Sequence, residues 1–141
     1  IDEYFRKYTG VKAYIDKSLE EAREKGYVST LLHRRRYLPD IHSPSIPVRQ
    51  ATERMAVNTP LQGTAADIIK LAMIRIQHRI EDQAISAKMI MQVHDELVFE
   101  IREGETETVC PLIQQEMEAV MPLSVPLKVS VYSGRNWAEA H

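Results

Sequence analysis

The chain has 141 residues, of which 44% are hydrophobic and 27% charged, with a formal charge of −2. That balance excludes disordered and collagen-like classes and suffices for the core of a globular domain. No apolar run nears the ~18 residues that cross a bilayer, and Ile1-Asp2-Glu3-Tyr4-Phe5-Arg6 resembles neither a signal nor a transit peptide, so the expected setting is cytosolic with no membrane partner.

From residue 3 to 25, apolar positions recur at Phe5, Tyr8, Ile15, Leu19 and Ala22, predicting an amphipathic helix that can break at Gly10 and stops at Gly26. Residues 27–31 and 36–38 flank a polar step and predict a hairpin of two short strands. Pro44 and Pro47 mark 42–47 as loop. A helix is expected from about Val48 to Asp82, with Ile69, Ala72, Ile76 and Ile80 as its apolar stripe and Pro60 marking a kink or a fresh first turn. Residues 87–93 and 96–101 predict two strands joined only by His94-Asp95. Residues 105–121 predict a helix through Val109, Leu112, Ile113, Met117 and Val120, with Pro111 tolerable only in its first turn. Residues 126–131 alternate Leu127, Val129 and Val131 with Lys128 and Ser130, predicting a last strand with one buried face. The order gives an α+β fold in two lobes: a helix and hairpin, then a long helix with an antiparallel unit.

Charge is unevenly placed. Between Arg34 and Arg54 stand five arginines, Arg34, Arg35, Arg36, Arg49 and Arg54, against Asp40 and Glu53. Arg34, Arg35 and Arg36 read equally as attractors of a phosphate backbone and as a charged edge that discourages strand pairing. The lone Cys110 has no second thiol for a disulfide or zinc site. His33, His42, His78 and His141 fall on different predicted elements and make no convincing metal set. Met89 and Met91 are expected on the hairpin's buried face, and Trp137 as an anchor for the tail.

Two-residue hairpin loops favour Asn-Gly, Asp-Gly or glycine pairs, because positive φ is needed there, so His94-Asp95 is poor turn chemistry. Broken turn chemistry without structural gain points to a functional site. Asp95 and Glu96, flanked by Val93, Leu97, Val98 and Phe99, place carboxylate oxygens on a rigid rim, which suits a hard cation such as Mg²⁺. Short acidic turns are common, and on residue types alone a pair of solvated turn acids is the stronger reading. Arg54, Asn58 and Gln62 are spaced by four, drifting only ~40° per step in a continuous helix, and form one polar stripe. These side chains donate to phosphate, sugar and minor-groove acceptors. On spacing alone, a solvated helix face reads as well.

Met91-Gln92-Val93-His94-Asp95-Glu96, continued by Leu97-Val98-Phe99-Glu100, resembles motif C of the family A (polymerase I type) DNA polymerases. Other segments resemble the same family in the same order. Glu24-Lys25-Gly26-Tyr27-Val28 with Arg34-Arg35-Arg36-Tyr37-Leu38-Pro39-Asp40-Ile41 is similar to its fingers hairpin, and Glu53-Arg54, Asn58-Thr59-Pro60 and Gln62 to Lys70 to the long helix bordering its DNA cleft. The tail from Asn136-Trp137 to His141 is similar to the family's C-terminus. Two departures are His33, where many relatives have glycine, and Ser45, where asparagine is common.

The resemblance implies a C-terminal fragment of a DNA-directed DNA polymerase, with residues 1–46 from the fingers and 47–141 from the palm, working in DNA replication and repair in the bacterial cytosol. It implies primer-template DNA and deoxynucleoside triphosphates as partners, and two Mg²⁺ ions in the complete enzyme. Asp95 would be an essential metal ligand, Glu96 an auxiliary ligand, and His94 would position the primer terminus or the turn. Arg54, Asn58 and Gln62 would contact primer and template. The family's second aspartate motif and its nucleotide-binding fingers helix do not occur in this chain. The 141-residue chain alone is therefore expected not to polymerise. The alternative is a non-catalytic DNA-binding module, which would keep the stripe and be indifferent to Asp95.

Overall fold

A computed structural model describes residues 2–140, so His141, at the end of the tail resemblance, lies outside the described residues. The architecture is α+β. Helices α1 (Asp2–Lys7) and α2 (Thr9–Lys25) precede strands β1 (Tyr27–Ser29) and β2 (Arg35–Tyr37). A 3₁₀ turn at Pro39–His42 leads into the long helix α3 (Ile46–Asp82). Strands β3 (Ala87–Val93) and β4 (Glu96–Ile101) and helix α4 (Thr106–Glu118) follow. The chain divides within α3 into two compact units, Ile1–Asp67 and Ile68–His141.

In the first unit the break between α1 and α2 falls at Tyr8, not at Gly10, which lies inside α2. Tyr8 has φ −113° and ψ 66°, and its ring packs on Tyr4 with centroids 4.9 Å apart. Gly26 stops α2 as expected, with φ 71° and its N–H on the Ala22 carbonyl. β1 and β2 pair antiparallel, with Tyr27 opposite Tyr37 and Ser29 opposite Arg35. Ala22, Val28, Leu38, Ile41 and Ala56 form the buried core, with Leu19 and Met55 against it.

His33, in the β1–β2 turn, has φ 63°. That explains why glycine suits this position, since a left-handed backbone is strained for residues with a Cβ. His33→Gly should stabilise the chain by about 0.5–1 kcal/mol, the relief of strain less glycine's greater unfolded-state entropy. A denaturant midpoint that falls on this substitution would contradict the assignment of strain to the turn.

α3 runs through Pro60 without starting afresh. Proline removes the N–H that would bond the Ala56 carbonyl. Beside it, the Tyr14 hydroxyl donates to the Val57 carbonyl at 3.0 Å.

The second unit is built on the face of α3 that carries Ala72, Ile76 and Ile80. These pack with Val109 and Ile113 of α4 and with Val120, and Ala87, Met89, Leu97, Phe99 and Ile101 of the hairpin lie against them. β3 and β4 have the predicted bounds and pair antiparallel, with a bulge at Ile90: Met89 opposes Phe99, and Met91 opposes Val98. The extra residue reverses the in/out alternation toward the turn. Met89 therefore packs on the core as expected, whereas Met91 is exposed.

Pro111 is the sixth residue of α4, beyond the first turn to which it was expected to be confined. The carbonyl it leaves without a helical partner is that of Glu107, an exposed residue that water can serve. The strand expected at 126–131 does not form. Leu127, Val129 and Val131 are half-buried and Lys128 and Ser130 exposed, so the alternation is present. No strand of the described residues pairs with it. Instead α4 side chains hold its backbone: Val129 N–H donates to Glu118 Oε1 at 3.0 Å, and Gln114 Nε2 donates to the Val129 carbonyl at 2.9 Å.

The Val129 N–H, the Gln114 amide and nearby Lys128 hold the Glu118 carboxyl below the ordinary carboxylate range. A carboxyl with a depressed folded-state pKa contributes stability above its unfolded-state value and loses it as pH falls through the folded-state value. Circular dichroism should show denaturant midpoints that fall below the ordinary carboxylate range, and Glu118→Gln should make this acid limb shallower. An unchanged limb would contradict the assignment.

Among the described residues, no helix is long and apolar enough to cross a membrane. Trp137 is 46% exposed. Glu139 closes the tail turn, its carboxylate accepting from Arg135 N–H and Asn136 Nδ2, each at 3.0 Å.

Candidate catalytic turn and nucleic-acid interface

The two candidate sites belong to different units, and each is built by its own local sequence. In the second unit, hydrophobic packing of Met89, Leu97 and Phe99 fixes the hairpin, and its tip carries His94, Asp95 and Glu96 into solvent. His94 takes φ 53°, while Asp95 is not among the positive-φ residues. One left-handed residue therefore closes the turn, and histidine tolerates that conformation better than a β-branched residue would. Gln92 Nε2 donates to the His94 carbonyl at 2.9 Å and ties the strained residue back to β3. Sequence reasoning had assigned Gln92 no part, although an amide two residues before a non-glycine turn is a usable signal.

The turn thus presents two adjacent carboxylates, those of Asp95 and Glu96, at a strand junction. Among the described residues there is no group of three or more His, Cys, Asp or Glu side chains that could hold a metal ion. The donor set fits part of a hard-cation site, because Mg²⁺ typically takes one or two protein carboxylates and fills its shell with water and substrate phosphates.

In the first unit, α3 is continuous through residues 54–62, so Arg54, Asn58 and Gln62 do fall on one face, and all three are exposed. The helix is held by its other sides. Arg23 Nη2 pairs with Glu53 Oε1 at 2.7 Å, and Tyr14 bonds the Val57 carbonyl. Arg34 Nε donates to Asp67 Oδ1 at 2.8 Å. Arg35, Arg36 and Arg49 of the basic segment are engaged within this unit as well. The Arg35 guanidinium lies 4.6 Å from the Tyr27 ring centroid, Arg36 Nη2 lies 3.2 Å from Met55 Sδ, and Arg49 Nη1 donates to the Ser43 carbonyl at 3.1 Å. Ser45, the second departure from the family pattern, accepts the Arg49 N–H at 2.9 Å through its carbonyl as α3 opens.

Cys110 is half-buried and free, and desolvation raises its thiol pKa, as suits an unreactive packing thiol.

Comparison with known proteins agrees with the motif resemblance. The family model for DNA polymerase family A matches residues 1–139. DNA polymerase I of Bacillus caldotenax is 50% identical over 140 residues, covering 99% of this chain and 16% of that protein. DNA polymerase I of Mycobacterium tuberculosis is 49% identical over 142 residues, covering 100% of this chain and again 16% of the relative. The chain thus spans about a sixth of the curated relatives it matches. Among solved structures, the polymerase domain of Pol1 from M. smegmatis, in complex with DNA primer-template and dNTP, matches with a TM-score of 0.95 at 47% identity. That match covers 99% of this chain and 24% of the other. A family match along nearly the whole chain, with an equally extensive structural match, places this chain in DNA polymerase family A.

Proposed function

We propose that this chain is a segment of a longer DNA-directed DNA polymerase of the bacterial cytosol that extends a primer 3′ end with deoxynucleoside triphosphates. In that reading residues 1–46 belong to the fingers and 47–141 to the palm. The observation that carries it is the solvent-facing pair Asp95 and Glu96 on a rigid, non-glycine hairpin turn, within a chain that matches family A over residues 1–139.

Asp95 would be the essential Mg²⁺ ligand and Glu96 its auxiliary. The metal, when bound, supplies activation of the primer 3′ hydroxyl and neutralisation of charge on the leaving pyrophosphate. The packed hairpin would keep both carboxylates oriented before substrate arrives, so little reorganisation accompanies reaction. His94, fixed at φ 53° and bonded through its carbonyl to Gln92, would aim the turn or the primer terminus. On α3, the Arg54 guanidinium would donate to phosphate, and the Asn58 and Gln62 amides to sugar and minor-groove acceptors, giving binding that is blind to sequence.

Binding and chemistry should separate by mutation. In the full-length polymerase, Arg54→Ala should raise the primer-template dissociation constant about tenfold and reduce its salt dependence by about one phosphate contact. Affinity and salt slope both unchanged would remove Arg54 from the DNA face. Because two carboxylates in one turn cannot organise a two-metal centre, the 141-residue chain by itself should give no primer extension. Robust magnesium-dependent synthesis by that chain would overturn this part of the reading.

A further inference from the structure

The β1–β2 turn grips α3 one residue beyond Gln62. Leu31 N–H donates to Thr64 Oγ1 at 3.1 Å, and Arg34 Nη2 donates to the Gly63 carbonyl at 3.0 Å. Arg34 Nε and Nη2 both lie 2.8 Å from Asp67 Oδ1. The turn is itself braced, with Arg34 N–H on Thr30 Oγ1 at 3.2 Å and His33 N–H on the Thr30 carbonyl at 3.0 Å. Turn and helix approach so closely that a Cβ on Gly63 would stand 2.6 Å from Thr30 Cγ2. Only glycine permits this approach.

Packing alone does not call for such a contact. The Asp67 side chain is 8% exposed but that of Arg34 is 54% exposed, and an ion pair with one partner open to solvent contributes little to stability by itself. What the pair adds is direction. A planar guanidinium that bridges a helix carbonyl and a carboxylate one turn later fixes the rotation of that turn about the helix axis, which a single ammonium cannot do. Gln62 lies ~100° around the helix from Gly63, so the same constraint fixes where its amide points.

We propose that the Thr30–Arg34 turn orients the stretch of α3 that carries Gln62, making Thr30, Arg34 and Asp67 positioning residues for primer-template binding. This rests on the assignment of Gln62 to the DNA. It also gives the first arginine of the basic run a role that is neither phosphate attraction nor edge protection.

The test uses the full-length polymerase, with primer-template dissociation constant, kcat and melting temperature measured for each variant. Gly63→Ala places a methyl against Thr30 Cγ2, an overpacking cost that its higher helix propensity offsets in part, and the melting temperature separates weakened binding from lost stability. It should raise the dissociation constant about tenfold with kcat within about twofold. Thr30→Ser removes the opposing methyl and keeps the hydroxyl, so Gly63→Ala/Thr30→Ser should return affinity to that of Thr30→Ser alone. Arg34→Lys keeps the charge but cannot bridge both partners, and should weaken binding like Gly63→Ala. Gln62→Ala serves as the control. If it weakens binding while Gly63→Ala and Arg34→Lys do not, or if Thr30→Ser fails to rescue, the positioning role is overturned and the DNA face stands. If these variants lower only the melting temperature, the contact is structural and the inference likewise fails. If Gln62→Ala leaves affinity unchanged, the DNA assignment falls and takes the inference with it.

Discussion

Asp95→Ala in the full-length polymerase should lower primer extension by more than about a hundredfold, beyond the 10–100-fold that loss of an outer-shell partner costs a metal site. Primer-template affinity should stay within about twofold, since a metal ligand acts on the reacting centre and not on the duplex. The fold gives no reason for the side chain to matter otherwise. Asp95 is exposed at the hairpin tip, outside the cluster of Ala72, Ile76, Ile80, Val109, Ile113 and Val120. The strained residue of the turn is His94, whose φ of 53° the substitution leaves alone. The melting temperature should therefore barely move. Retained extension would favour the non-catalytic DNA-binding module.

Ile76→Ala should have the opposite profile. Ile76 is fully buried at the centre of the second unit's core, where helix and hairpin side chains converge. Truncation removes three heavy atoms and leaves a cavity that close-packed neighbours fill only in part, costing about 2–5 kcal/mol. Chemical denaturation monitored by circular dichroism would detect that loss. A cost below about 1 kcal/mol would mean that the site collapses readily and is not the packed centre described here. The comparison matters because the hairpin bearing Asp95 is held by this same core: Met89, Leu97 and Phe99 rest on it. Activity lost through Ile76→Ala should return when the protein is cooled or stabilised, whereas activity lost through Asp95→Ala should not.

The elements carrying the candidate site were the most legible in sequence. β3 and β4 have their predicted bounds because two apolar-rich runs are separated by a two-residue gap that leaves little freedom for the turn. The stripe Arg54, Asn58 and Gln62 was legible because helical spacing is rigid once α3 is continuous. Errors arose where a local rule met a tertiary contact. The Ile90 bulge moved Met91 to solvent, which alternation cannot foresee. Residues 126–131 alternate in burial yet form no ladder, since periodicity records which face is covered and not whether another strand is alongside. Pro111 lies inside α4 beyond its first turn, where packing outweighs the loss of one hydrogen bond. The partners of Arg34 were invisible because Gly63 and Asp67 lie some thirty residues away in sequence. A glycine and a buried acid four residues apart in a helix are the traces they leave.

The most direct test is metal binding at the turn itself. Mn²⁺, used as a paramagnetic probe for the Mg²⁺ site, would be titrated into the full-length polymerase bound to a chain-terminated primer-template and the next dNTP, with free Mn²⁺ read by electron paramagnetic resonance. Asp95→Asn, which keeps the shape of the side chain and removes its charge, should weaken Mn²⁺ binding at least about tenfold relative to the unsubstituted enzyme, with DNA still bound. Equal Mn²⁺ affinity and stoichiometry in the two proteins would contradict the assignment of Asp95 as a metal ligand.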